Sequence, residues 1–209
     1  MKTNLISKSE TTQLLKTVSE KWKIDIPKVK NLKVYEIDNE TQLITGSEIK
    51  ILKIKDEHLP FLSEISTLEK FPYVQVDMGA VKFMCKGANL MRPGIKKFSE
   101  FSKNDIVCIV EESQNKFLAV GKSEVDSTEL ESMDKGEVLK NLHYISDKAW
   151  EISKTLLDYF TSSVNSLIPS LLTTKTSIPS PLNESLMVAE RTAFTAKSTA
   201  SFSVIFALN

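Results

Sequence analysis

Two cysteines, Cys85 and Cys108, and two histidines, His58 and His143, are all the thiol and imidazole ligands that 209 residues provide. They are scattered, with no C-x-x-C or H-x-x-x-H pair, so the clustered ligands of a zinc site are missing. Each cysteine lies inside an apolar segment, which suits a small core residue better than a ligand or nucleophile. Glycine is scarce too, at six residues. Gly79, Gly87 and Gly94 fall close together, but their spacings of eight and seven fit neither G-x-G-x-x-G nor G-x-x-x-x-G-K, so no dinucleotide or triphosphate cradle is encoded. No apolar run reaches the roughly 18 residues of a membrane span. The opening MKTNLISKSE lacks the apolar core, about seven residues or more, of a secretory leader. Thiols without such a leader predict a cytoplasmic protein. Net charge is also absent, since 27 Lys and Arg balance 27 Asp and Glu. Any electrostatic signal must therefore be local. No acid, base and nucleophile come together in the sequence; His143 is expected to be packed or hydrogen-bonded, and the chain to be no enzyme, with no cofactor and no metal.

With 41% hydrophobic residues the chain can bury a core, and its pattern divides it into three regions. Ser7-Lys8-Ser9-Glu10 has the S-x-x-E form of a capping box, so a helix should start there. Leu14, Leu15, Val18 and Trp22 give its buried stripe, and Pro27 should end it. LKVYEI (32–37), TQLIT (41–45) and EIKILKI (48–54) alternate and are separated by turn residues, predicting a three-stranded antiparallel meander with one polar face. Pro60 suits the first turn of a second helix carrying Phe61, Leu62, Ile65 and Leu68. Residues 1–71 are expected to form a small α+β domain.

Residues 72–151 are expected to form a small β-barrel. YVQV (73–76) predicts a strand, GAVKFMCKGA a short helix ending near Gly87, ANLM (88–91) a strand, and Pro93-Gly94 a turn. DIVCIV (105–110) and KFLAVGKSEV (116–125) should pair as a hairpin, with another strand in GEVLKNLHYISDKAW (136–150). Residues 152–209 differ: positions 155–209 hold 18 Ser or Thr, three Pro and no Gly. An amphipathic helix through Leu156, Phe160, Val164, Leu167 and Leu171, broken at Pro169, is expected to give way to a largely disordered end. Too few cations flank its apolar residues for a membrane-surface helix.

Charge is uneven inside the middle region. Residues 71–103 carry six cations and two anions, whereas residues 104–151 carry five cations and 11 anions. The neutral total thus hides a basic segment, which is either a solvated face or a surface for an anionic partner.

The run YVQVDMGAVKFMCKGANLMRPGI, followed by DIVCIV, KFLAVGKSEV and GEVLKNLHYISDKAW, resembles a PUA domain, the module named for pseudouridine synthases and archaeosine transglycosylases. The most specific stretches are VDMGAV, GAN through PGI, the strand ending in AVG, and NLHY-x-x-D-x-x-W. With a helix and meander ahead of it, the arrangement resembles the malignant T-cell-amplified sequence family of archaea and eukaryotes, in which a pre-PUA domain precedes the PUA domain. Members end soon after the aromatic that matches Trp150, whereas this chain continues for 59 residues.

The resemblance implies an RNA-binding protein of the translation apparatus. It would contact small-subunit ribosomal RNA or the acceptor end of a tRNA, in initiation or ribosome recycling, with the ribosome or an initiation-factor-like protein as further partners. An accessory module that targets RNA modification is the alternative, and a protein adaptor a third. The implied RNA surface comprises Gly79, Lys82, Lys86, Gly87, Ala88, Asn89, Arg92, Lys96 and Lys97. Small residues there let a sugar-phosphate backbone approach, lysines neutralise phosphates, and Arg92 is suited to bidentate pairing. Asn89 is suited to a base edge or 2′-OH. Met78, Val81, Met84 and Cys85 are expected in the core or beside it, and Phe83 there or exposed for stacking.

Overall fold

A computed structural model describes residues 2–156. The amphipathic helix expected beyond Leu156 and the Ser/Thr-rich end lie outside the described residues. The fold is α+β, built on two sheets. The first has five antiparallel strands in sequence order: β1 (Thr3–Leu5), β2 (Lys33–Glu36), β3 (Thr41–Thr45), β4 (Lys50–Ile54) and β5 (Glu57–Pro60). Helix α1 (Lys8–Trp22) enters through the expected capping box: Ser7 Oγ accepts the Glu10 N–H, and Glu10 accepts the Ser7 N–H at 3.0 Å. The helix stops at Trp22, five residues before Pro27. Lys23 is left-handed at φ 57° and donates its N–H to the Ser19 carbonyl, so the chain closes its own helix before proline is reached.

The sheet corrects two sequence expectations. Neighbouring residues Leu43 and Ile44, and likewise Ile51 and Leu52, are all buried although they point to opposite faces. Both faces of the sheet centre are covered, so the meander does not have one polar face. Pro60 ends strand β5 instead of opening a helix, and α2 is one turn, Ile65–Leu68. Strand β5 is an edge strand paired only with β4, which tolerates a residue without an N–H.

The second sheet has the order β7-β11-β10-β9-β6-β8. Its strands are β6 (Tyr73–Val76), β7 (Leu90–Met91), β8 (Ile95–Phe98), β9 (Ile106–Glu111), β10 (Phe117–Ser123) and β11 (Glu137–Tyr144), with α3 (Met78–Met84) after β6 and α4 (Ser127–Ser132) before β11. All neighbours are antiparallel except β6 and β9. Strands β7 and β8 occupy opposite edges, yet only the 3₁₀ turn Arg92–Gly94 separates them in the chain. A flat six-stranded sheet would hold its edges about 24 Å apart. The link from Met91 to Ile95 reaches about 14 Å at most. The sheet must therefore curl, and it forms the half-barrel of a PUA-like fold.

Two local devices shape strand β10 and the turn before it. The β10–β11 register shifts between Val120 and Gly121. A Cβ at Gly121 would lie 2.6 Å from the Lys140 carbonyl oxygen, so the glycine of the AVG stretch permits a close backbone approach at this bulge. In the β9–β10 turn, the Glu111 carboxylate accepts the N–H groups of Gln114 and Lys116 at 2.7 and 3.1 Å. Burial alone would raise its pKa, but these bonds and those from Ser113 outweigh burial and hold it below the ordinary value.

The two sheets share one core. Phe61, Leu62 and Leu68 pack in the same cluster as Cys108, Val120, Ala149 and Trp150. Ion pairs Glu57–Lys122 at 2.7 Å, Lys23–Asp105 at 2.9 Å and Asp38–Lys148 at 3.3 Å join the sequence before residue 72 to that after it. Among the described residues, no helix is long and apolar enough to cross a membrane.

Candidate nucleic-acid interface

Helix α3 is the centre of the basic segment. Asp77 Oδ1 accepts the Ala80 N–H at 2.8 Å, and Glu112 accepts the Met78 N–H at 3.0 Å, so two carboxylates satisfy the first orphan donors. The Asp77 N–H donates to Gly94 at 3.0 Å, which ties the helix entry to the turn joining the sheet edges. At the other end, the N–H groups of Gly87 and Ala88 reach the carbonyls of Met84 and Phe83, the two bonds of a Schellman cap. Gly87 has φ +80°, and a Cβ there would meet the Tyr144 ring at 2.6 Å. Its glycine is thus required by the helix end and by an aromatic neighbour, independently of any ligand.

Around this scaffold, Gly79, Lys82, Lys86 and Ala88 are exposed, as are Lys96 and Lys97 on edge strand β8. Among the described residues, none of the four lysines forms an ion pair. Lys82 Nζ instead sits 5.0 Å from the centroid of the neighbouring Phe83 ring. The lysines on β8 also deter pairing of that open edge with another strand, so their exposure has a structural use as well.

Arg92 and Asn89 are differently placed. The Arg92 Nε–H donates to the Leu130 carbonyl at 3.1 Å and one Nη reaches Ile95 O at 3.5 Å, which pins the half-buried guanidinium between α4 and β8. Asn89 donates to Glu137 at 3.0 Å and accepts the Asn141 N–H at 3.1 Å. Asn141 in turn donates to the carbonyls of Met84 and Ala88 at 3.1 and 3.2 Å. These three side chains lace the loop after α3 onto β11. Glu137 shapes the surface without having stood out in the sequence, because its partner Asn89 is far away in the chain; Asn141 and Tyr144 carried a signal only as part of the NLHY stretch.

The apolar residues divide. Met84 is buried, Val81 and Cys85 are half-buried, and Phe83 and Met78 are exposed. Burial raises the Cys85 thiol pKa. Met91 is exposed too, so with Tyr73 four of the six exposed large apolar side chains among the described residues lie in this segment. Leaving half a Phe side chain in water forgoes about 1 kcal/mol of burial.

Away from this surface, His143 Nδ1 lies 2.6 Å from Asp147 Oδ2, the spacing of a catalytic dyad. Its Nε2 accepts the Leu62 N–H at 3.2 Å, and the side chain is fully buried. That bond fixes the proton on Nδ1 and consumes the nitrogen that a general base would use. Asp147 also accepts the N–H groups of Trp150 and Tyr144 at 2.7 and 3.1 Å, capping the helix over 148–156. Cys108 is buried in the common core, where desolvation pushes its thiol pKa far up. Neither group is placed to react.

Comparison with known proteins agrees with this architecture. The PUA domain family model matches residues 72–145. Malignant T-cell-amplified sequence 2 of Homo sapiens is 30% identical over 135 residues, covering 61% of this chain and 74% of the human one. Translation machinery-associated protein 20 of Saccharomyces cerevisiae is 31% identical over 137 residues, covering 61% of this chain and 76% of the yeast one. Among solved structures, a hypothetical protein of Pyrococcus horikoshii superposes with a TM-score of 0.62 at 27% identity, over 72% of this chain and 99% of the archaeal one.

Proposed function

The chain belongs to the malignant T-cell-amplified sequence family, and from that premise we propose that it binds RNA of the translation apparatus through α3, the loop after it and strand β8. The observation that carries the reading is the set of four exposed lysines without ion-pair partners among the described residues, Lys82, Lys86, Lys96 and Lys97. Each is free to neutralise a phosphate and release its counterion. The yeast relative's name, which associates it with the translation machinery, supports the setting. The RNA is small-subunit ribosomal RNA or a tRNA acceptor end, and the step is initiation or ribosome recycling. Residues 72–151 act as the RNA-binding domain, and residues 1–71 as a pre-PUA domain held against it. The surface recognises shape and unpaired bases more than duplex sequence.

A filter-binding titration against salt, with tRNA and small-subunit ribosomal RNA, tests this. Lys82→Glu combined with Lys86→Glu should weaken binding at least about tenfold and flatten the dependence of log K on log salt by roughly one to two units. Unchanged affinity and slope for both RNAs would remove the surface from consideration.

A further inference from the structure

Phe83 is an aromatic ring left 51% exposed on a seven-residue helix, although the next residue, Met84, is buried in the core. Lys82 precedes it and Lys86 lies three residues on, both without ion pairs among the described residues, and Lys82 Nζ already stands 5.0 Å from the ring centroid. Met78 and Met91, 55% and 48% exposed, add apolar surface on either side of it along the chain. The basic charge rules out an acid-free apolar partner as the best match, and the aromatic ring is more than phosphate neutralisation requires. A ligand that satisfies both presents a flat π-face next to a negative charge. An unpaired nucleobase attached to its phosphate has that form, whereas a base inside a duplex hides its faces by stacking.

We propose that Phe83 is the stacking platform for an unpaired base of the bound RNA, with Lys82 leaving the ring to meet the adjacent phosphate. This inference rests on the RNA reading above and deepens it by naming the residue that meets the unpaired base. Phe83 is suited to this because its backbone is held rigidly, its carbonyl accepting the N–H groups of Lys86 and Ala88 at 3.1 Å. A ring on a fixed backbone loses little freedom when a base stacks on it. Arg92 and Asn89, whose side chains are committed to protein partners, are not part of the platform.

The test uses the full chain and two synthetic RNA hairpins of equal length and charge, one blunt and one with an unpaired 3′ overhang containing 2-aminopurine. The wild type should prefer the overhang by about tenfold and quench its fluorescence on binding. Phe83→Ala, at an exposed position that leaves the fold intact by circular dichroism, should abolish both the preference and the quench while keeping the affinity for the blunt hairpin. Phe83→Trp should restore both. If Phe83→Ala keeps the preference and the quench, or if the wild type binds both hairpins equally, the platform is overturned and RNA binding by the lysines stands. If the wild type binds neither hairpin, tRNA nor ribosomal RNA, both readings fall and the patch belongs to a protein partner.

Discussion

His143 and Leu62, 81 residues apart in the chain, are joined by one buried hydrogen bond of 3.2 Å from the Leu62 N–H to the His143 Nε2. The imidazole also packs against Phe61, with centroids 4.7 Å apart, and Phe61 stacks on Trp150 at 6.1 Å. Histidine, aspartate and tryptophan of the NLHY-x-x-D-x-x-W stretch therefore form a joint between the two sheets.

His143→Ala should destabilise the protein by about 3 kcal/mol, since it removes a packed ring and leaves the Leu62 N–H unpaired in the interior. Urea unfolding followed by tryptophan fluorescence would measure this. A loss under about 0.5 kcal/mol would mean that the joint contributes little.

Acid should loosen the same joint through Asp147. Burial pushes its carboxyl pKa up, but bonds from His143 and from the Trp150 and Tyr144 N–H groups outweigh burial and leave it below the usual aspartate value. A depressed folded-state pKa contributes stability that is present above the unfolded value, about 3.9, and is lost as pH falls through the folded one. Asp147→Asn should thus be markedly less stable than wild type at pH 7, and the gap should narrow as pH falls below about 4. Urea midpoints for the two proteins across that range give the answer; a gap independent of pH would contradict it.

Gly87→Ala should destabilise by about 2 kcal/mol or more, because φ +80° strains any side chain and the new Cβ meets the Tyr144 ring. Adding Tyr144→Ala should relieve the clash but not the strain. The two substitutions together should then be less destabilising than the sum of their separate effects in a double-mutant cycle.

Arg92→Gln and Lys82→Gln should separate structural from ligand roles. The first loses the bonds to Leu130 and Ile95, lowering the unfolding midpoint while leaving the salt slope of RNA binding unchanged. The second should lower the salt slope by about one unit or less and leave stability unchanged. The opposite pattern would place Arg92 on the RNA.

Features set by near neighbours in sequence were legible in it. The Ser7–Glu10 box, the helix end at Gly87 and the β9–β10 hairpin each follow from residues within one or two turns of each other. Strand β8 was not, since two adjacent lysines in IKKF break the alternation that marks a strand. Helix α4 buries only Leu130 as a large apolar side chain, so it has no periodicity to detect. Within the candidate surface, the lysines were legible from charge. The engagement of Arg92 and Asn89 was not, because Leu130 and Glu137 lie 38 and 48 residues further on, and only the folded chain brings them close.

That separation sets an order of events during synthesis. Strand β7, which ends the loop after α3, pairs with β11 and no other strand, and Asn89 finds its partners at Glu137 and Asn141. The basic segment leaves the ribosome first, and what fixes its shape leaves about 50 residues later, or roughly three to ten seconds at common elongation rates. Nascent chains that end before residue 137 carry the lysines without the lacing. The shape of the proposed RNA surface is complete only when β11 has been made.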